Sequence, residues 1–270
     1  MTDGVRIPDL AGWDLGERSC AYAERDVILY ALAVGAAATD LDLVYETRLH
    51  VLPTFPLTLG LWAVRAAGAV GAYDPATTLH VGQALSVHAP LPPAGAFDMR
   101  ATIANVWDKG TAALVEVNVA CEFFDALYTI YIPGAGGFGG ERGSRAASGP
   151  PDAPADVTTT VTTSPNQAAL YRLTGDPHPV HIDPAAAQAV GFDRPILHGL
   201  CTLGSVALAV GRAIDRDPRS LTYLDARLSA PVYPGSTLDV EAWTGGTAFS
   251  YRASVARTGP VLIGEGRFSG

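Results

Sequence analysis

The chain reads as an α+β protein built from two halves of similar design, and three observations lead there. Short apolar helix-forming runs come first in each half, followed by long stretches in which apolar and polar residues alternate. A segment dominated by Gly, Ser, Ala and Pro, residues 134–156, carries no apolar period and divides the chain near its middle. Two local patterns also recur at matching places in the two halves.

In the first half, Asp26-Val-Ile-Leu-Tyr-Ala-Leu-Ala-Val-Gly35 opens a helix, and Leu57-Thr-Leu-Gly60 leads an Ala/Val/Leu-rich helix over 57–68. Leu79–Ala89, Ala96–Trp107 and Ala112–Phe124 alternate with the period of strands. Residues 134–156 are a linker or surface crossing between an N-terminal half, 1–133, and a C-terminal half, 157–270. The second half repeats the plan. Asn166–Thr174 is a helix in which Tyr171 matches Tyr30, and Cys201-Thr-Leu-Gly204 leads a helix over 199–214. Between them Asp183 caps a short helix over Pro184–Val190, with Pro at its first position and Gly191 just past its end. Leu221–Leu228, Thr237–Thr244, Phe249–Arg257 and Val261–Phe268 are strands. The repetition implies that the halves pack as a pseudo-dimer. They differ in their polar residues. After Gly35 the first half runs through three alanines where the second has Asp176-Pro-His, and Thr54 stands where the second has His198. One active site per chain is expected.

With 270 residues, 48% hydrophobic and 17% charged, the chain can bury one large core or two of ordinary size. A net charge of −9, with Lys109 the only lysine, argues against nonspecific nucleic-acid binding, which depends on neutralising phosphates. An anionic ligand held by a few arginines remains open. Cys20, Cys121 and Cys201 show no paired spacing, which fits a reduced, cytoplasmic protein. No signal pattern and no membrane-spanning apolar run is present.

The chemistry concentrates in Gly175-Asp-Pro-His-Pro-Val-His-Ile-Asp-Pro184. Pro177 and Pro179 fix φ, remove two donors and bias their predecessors towards extended backbone. A stiff loop, neither helix nor central strand, is therefore expected to carry Asp176, His178 and His181, as general acid–base catalysis requires. His198-Gly199 opens the long apolar helix, whose first-turn N–H groups can hold an anion or oxyanion, and Gly199 lets a ligand carbonyl approach. Taken singly, Asp176 and His181 also read as a capping Asp and a surface His. His178, His181 and His198 read as metal ligands only against an extended loop and without a supporting cysteine or carboxylate pattern, so no metal is expected. His50, His80 and His88 lack partners in sequence and read as structural, Tyr30 and Tyr171 as core. Asp193-Arg194 reads as a loop ion pair, with Arg194 free to meet a phosphate.

The run Tyr171–Pro184, then Gly191-Phe-Asp-Arg-Pro-Ile-Leu-His-Gly-Leu-Cys-Thr-Leu-Gly204 and Arg227-Leu-Ser-Ala-Pro-Val-Tyr-Pro-Gly-Ser-Thr-Leu238, resembles the MaoC-like, (R)-specific enoyl-thioester hydratases of the hydratase 2 type. The resemblance implies a double hot-dog, two antiparallel sheets each wrapping a helix, whose N-terminal half has lost its catalytic loop and lines an acyl tunnel. It implies Asp176 and His181 as the catalytic pair that activates a water for syn addition to a 2-enoyl thioester, or its removal from a 3-hydroxyacyl one. It implies the Gly199 N–H as the donor to the thioester carbonyl, and His178, Pro179, His198, Arg194 and Tyr171 as substrate-binding residues. CoA or a carrier protein's phosphopantetheine would be part of the substrate. Arg212, Arg216 and Arg219, which suit a helix C-terminus, could meet a CoA 3′-phosphate or a carrier-protein surface. No metal or redox cofactor is implied, and a homodimer is compatible.

The departure lies at position 178, where the family has Asn and this chain has His. Asn donates and accepts at once; His is bulkier and can take up a proton. Two other readings therefore stay open: a hot-dog lyase adding or removing an amine at the β-carbon, and a non-catalytic acyl-thioester binding subunit.

Overall fold

A computed structural model of the chain describes residues 6–143, 149–256 and 259–269. Ten strands form one antiparallel sheet: β1 (Asp14–Tyr22), β2 (Leu79–Val87), β3 (Gly95–Asp108), β4 (Ala112–Ala120), β5 (Phe124–Pro133), β6 (Val157–Thr162), β7 (Leu221–Leu228), β8 (Thr237–Gly245), β9 (Ala248–Val255) and β10 (Gly259–Phe268). Their order is β1-β3-β4-β5-β2-β7-β10-β9-β8-β6. Read outward from the centre, the two sides have the same plan, so the sheet carries a pseudo-twofold between β2 and β7. These two strands pair antiparallel from Gly82 opposite Arg227 to Ser86 opposite Tyr223. Burial alternates along β5 and through most of β4, so one face of the sheet lies against the helices. This is the double hot-dog.

The helices on that face are α1 (Glu24–Ala33), α2 (Leu41–Val44), α3 (Pro56–Leu59), α4 (Leu61–Ala69), α5 (Gln167–Tyr171), α6 (Pro184–Ala189) and α7 (Gly199–Ala213). α1 starts two residues before Asp26, because the Asp26 carboxylate accepts the Ala23 N–H at 2.9 Å and so acts from the third helical position. α6 matches expectation: Asp183 Oδ1 accepts the Ala185 N–H at 2.8 Å. The helix expected over 57–68 is split at Gly60, and α5 tightens into a 3-10 turn over Arg172–Thr174.

Three strands escaped the sequence reading. β1 and β6 are the two edges of the sheet, and their polar sequences, DLGERSCAY and VTTTVT, lack an apolar alternation. β5 follows β4 after only Cys121–Phe123, so 112–124 is the whole of β4, the turn and the first residue of β5. The expected end of β9 at Arg257 lies outside the described residues.

The Gly-rich crossing is strapped down where it is described. The Asp108 carboxylate accepts N–H groups from Gly110, Gly137 and Gly139 at 2.8–2.9 Å, and these bonds hold it down to about 2. Phe138 packs against the core, Lys109 donates to the Arg142 carbonyl, and Trp243 Nε1 donates to the Ala153 carbonyl at 2.8 Å. Residues 144–148 of the crossing lie outside the described residues.

Across the seam, Gln167 ties three helices. Its Nε2 donates to the Ala33 carbonyl at 3.1 Å and to Ser205 Oγ at 3.2 Å, and its Oε1 accepts the Ser164 N–H. Tyr30 and Tyr171, the matched pair, meet ring to ring at 6.1 Å. Gly204 lets α7 pass α1, since a Cβ there would stand 2.7 Å from Tyr30 Oη and 2.8 Å from Val34 Cγ1. Both of those residues are buried, so Gly204→Ala should destabilise the fold by about 1–3 kcal/mol through overpacking. Denaturant unfolding monitored by fluorescence checks this; an unchanged midpoint would show that α1 and α7 can part freely.

Candidate active site

α5 and its 3-10 extension end at Gly175, whose φ of 132° reverses the chain into the Asp176–Asp183 loop. The loop is locked by its own short bonds. Asp176 Oδ1 accepts the His178 N–H at 3.3 Å, and His178 Nδ1 accepts the Val180 N–H at 3.3 Å. The His178 carbonyl accepts the His181 N–H at 3.2 Å. Pro179–His181 is consequently one 3-10 turn, with Pro179 at its first position and exposed. The sequence excluded a helix here; a single turn forms because a proline at the first position gives up no bond that the turn uses.

Polar side-chain atoms of Asp176, His181 and His198 lie within 4.8 Å of one another. His181 Nδ1 donates to the Ile196 carbonyl at 2.9 Å, which fixes the tautomer and leaves Nε2 with a free lone pair. His198, almost fully buried, donates from Nε2 to the Asp176 carbonyl at 3.1 Å, while its Nδ1 is buried without a partner. The His181 and His198 rings stack at 3.7 Å and 26°, and Tyr171 packs on His198 at 4.8 Å. Burial lowers His181 below the ordinary histidine range, against the pull of Asp176. Burial, then the neighbouring His181, drives His198 far lower. Both rings are neutral at pH 7. This set could offer a metal three ligands, while His181 Nδ1 and His198 Nε2 are each already committed to a backbone carbonyl. The arrangement suits proton handling better than a closed cation cage.

Gly199 heads α7, where helix N–H groups have no intrahelical acceptor. A Cβ at Gly199 would stand 2.7 Å from Leu228 Cδ1, so the Leu228 side chain would have to shift to admit one. Arg194 is exposed and lies over the Tyr233 ring, 4.9 Å from its centroid. Arg212 pairs with Asp40 at 2.6 Å, Arg219 with Asp217 and Asp42, and Arg216 donates to the Gly246 carbonyl. Arg212 and Arg219, with Asp40 and Asp42, line a cleft of about 290 Å³ as links between the halves.

The N-terminal half contributes two residues that the sequence reading missed. Arg65 donates to the Gly175 carbonyl at 3.2 Å and so holds the start of the loop. His80 sits at a β-bulge between His80 and Gly82, a device that re-aims a side chain. Its Nε2 donates to the Gly82 carbonyl at 2.8 Å, its ring meets Tyr128 at 5.8 Å, and the Asp176 charge acts on it. Only the strand register reveals this; no local pattern around His80 does.

Fold and site together define an acid–base centre of one carboxylate and neutral histidines, set at the seam of a double hot-dog. Residues 20–125 match the MFE-2 hydratase 2 N-terminal domain and residues 146–264 the MaoC like domain. The chain is 38% identical over 242 residues to 3-hydroxyacyl-thioester dehydratase Y of Mycobacterium tuberculosis, covering 82% of each protein. It is 37% identical over 270 residues to the mouse peroxisomal multifunctional enzyme type 2, covering 93% of this chain but only 37% of that longer protein. The crystal structure of a MaoC-like dehydratase from Phytophthora capsici superposes with a TM-score of 0.86 at 27% identity, over 98% of this chain and 99% of that one. The chain belongs to the MaoC-like hydratase 2 family.

The low-lying His198 has a consequence for stability. Below the ordinary histidine range the unfolded chain binds a proton at this position that the folded chain refuses, so stability falls as pH falls. The slope approaches about 1.4 kcal/mol per pH unit where one proton separates the two states. His198→Gln should flatten this acid limb, as read from urea midpoints at pH 7 and pH 5. An equally steep limb in the variant would place the titration elsewhere.

Proposed function

We propose that the chain is a carbon–oxygen lyase that hydrates 2-enoyl-CoA thioesters and, in reverse, dehydrates (R)-3-hydroxyacyl thioesters. The observation that carries the proposal is the neutral His181, its Nδ1 tied to a carbonyl and its Nε2 free, beside the Asp176 carboxylate. Asp176 accepts one O–H of a water and orients it. His181 Nε2 takes the other proton as the oxygen bonds to the β-carbon and the electron pair moves to the thioester carbonyl. The Gly199 N–H, at the positive end of α7, stabilises the resulting enolate. The imidazolium then returns the proton to the α-carbon on the same face, and water has been added in full. The neighbouring Asp176 carboxylate stabilises the transient imidazolium.

Residues 157–270 are the catalytic half in this reading, and residues 1–133 the degenerate half that lines the acyl path. His178, Pro179, His198, Tyr171 and Arg194 take up the substrate, as the resemblance implies. The thioester itself supplies the acidity of the α-carbon, so the reaction asks for no metal or redox cofactor. A carrier-protein substrate, a homodimer and a reduced cytoplasmic setting belong to the same proposal. Cys20, Cys121 and Cys201 are free thiols, as a reducing compartment would keep them. Among the described residues no helix is long and apolar enough to cross a membrane.

Purified chain incubated with short and medium trans-2-enoyl-CoA should give the water adduct by mass. Asp176→Asn and His181→Gln should each lose about a hundred- to ten-thousandfold in kcat. Glycine in a parallel incubation separates the amine-adding alternative, which a nitrogen adduct would favour. No turnover of any enoyl thioester would overturn the proposal and leave a binding subunit.

A further inference from the structure

We infer that His198 is a positioning residue: one imidazole holds Asp176 by its backbone and His181 by its ring face, and it serves substrate uptake only through them. This deepens the hydration reading, in which Asp176 and His181 handle the protons, and rests on it. Two stretches of chain meet here, the loop carrying Asp176 and His181 and the segment 196–198 ahead of α7. They exchange bonds in both directions. From the loop, His181 Nδ1 donates to the Ile196 carbonyl at 2.9 Å. From the segment, His198 Nε2 donates back to the Asp176 carbonyl at 3.1 Å. The Ile196 N–H adds a third bond, to the Val180 carbonyl at 3.3 Å. The two rings that reach across stack on each other at 3.7 Å and 26°. Loop and segment therefore close as a reciprocal clasp with the base inside it.

The segment is itself a fixed frame. The Leu197 N–H donates to the Val232 carbonyl at 2.7 Å, and the His198 carbonyl accepts the Thr202 N–H at 3.1 Å and its hydroxyl at 3.2 Å. His198 is 1% exposed, and the fully buried Tyr171 packs on its ring at 4.8 Å. So enclosed, the ring reaches substrate through its neighbours and not by contact. Its Nδ1 is buried without a partner, so the Asp176 carbonyl is its one side-chain hydrogen bond. An unpaired buried acceptor costs stability. What the ring supplies against that cost is the bond to Asp176 and the stack on His181. Both hold the reacting groups in place, and a displacement of about 1 Å at such groups can cost a hundredfold in rate.

Two variants of the full-length chain separate the bond from the stack. His198→Phe keeps a ring for the stack and loses the donor. His198→Gln keeps a donor at the same reach from Cβ and loses the ring. With trans-2-butenoyl-CoA each should lower kcat by about ten- to a hundredfold at an unchanged KM. A raised KM with kcat retained, or wild-type kcat in both variants, would overturn the inference alone. In a His181→Gln background the stack has lost its partner, so adding His198→Gln should cost about twofold or less in the residual kcat. A further loss as large as in the wild-type background would show that His198 acts on its own account. Ring ¹⁵N resonances of the wild type give a readout independent of turnover and of how the variants fold. A proton on Nε2 of His198 and on Nδ1 of His181 is expected, and the opposite tautomer at either ring overturns the clasp. A wild-type chain inert towards enoyl thioesters would instead overturn the hydration reading, while the resonances still decide the clasp.

Discussion

The pairing of β2 with β7 is the constraint on which the rest of the molecule depends. Each half alone would end in an open strand edge, a row of unpaired N–H and C=O groups. Joining these edges satisfies both at once and makes a continuous ten-stranded sheet with its pseudo-twofold at the centre. It also sets the two helical layers against each other. Gln167 can reach Ala33, and Tyr30 can meet Tyr171, only because the sheets share that register. The Arg212–Asp40 and Arg219–Asp42 pairs bridge the same seam from the surface, where partly exposed ion pairs contribute about 0–1 kcal/mol each. Register, far more than charge, holds the halves together.

The seam divides the labour of the site. In the proposed reaction the C-terminal half supplies the proton-handling groups, on a loop between α5 and α6 and at the head of α7. The N-terminal half supplies support, with Arg65 on the Gly175 carbonyl and His80 aimed inward by its bulge. Burial by both halves keeps His181 and His198 neutral. A histidine that is neutral, tautomer-fixed and partly desolvated is poised as a base without any charged partner on its other nitrogen. The stacked His198, anchored to the Asp176 carbonyl, gives that base a rigid wall.

Two glycines near the site have close side-chain neighbours that a local reading does not reveal. At Gly199 the tip of Leu228 lies 2.7 Å from where a side chain would begin. Gly204, which the repeat alone singled out, is required by Tyr30 and Val34 from the opposite half. The glycine-rich crossing makes the same point at larger scale. Its composition reads as a linker or surface crossing, and in the structure the Asp108 carboxylate gathers the N–H groups of Gly137 and Gly139 from it together with that of Gly110.

What the sequence determined by itself was the part of the protein written in local chemistry. The two-half α+β plan followed from helical runs ahead of alternating stretches, the short capped helix from Asp183-Pro184 and Gly191, and the candidate pair Asp176 and His181 from a proline-stiffened loop. The edge strands β1 and β6 were invisible because polar edges need no apolar alternation, and β5 because a short turn blurred it into β4. The tertiary structure decided which distant residues share a place. His80 read as a lone strand histidine until the fold set its ring against Tyr128, where the Asp176 charge acts on it. The tertiary structure also set Arg194 over the Tyr233 ring and paired Arg212 and Arg219 with Asp40 and Asp42 of the other half, contacts no local pattern shows. Caps and turns are fixed by neighbours a few bonds away, whereas a site at a seam is fixed by strand register, which no residue carries alone.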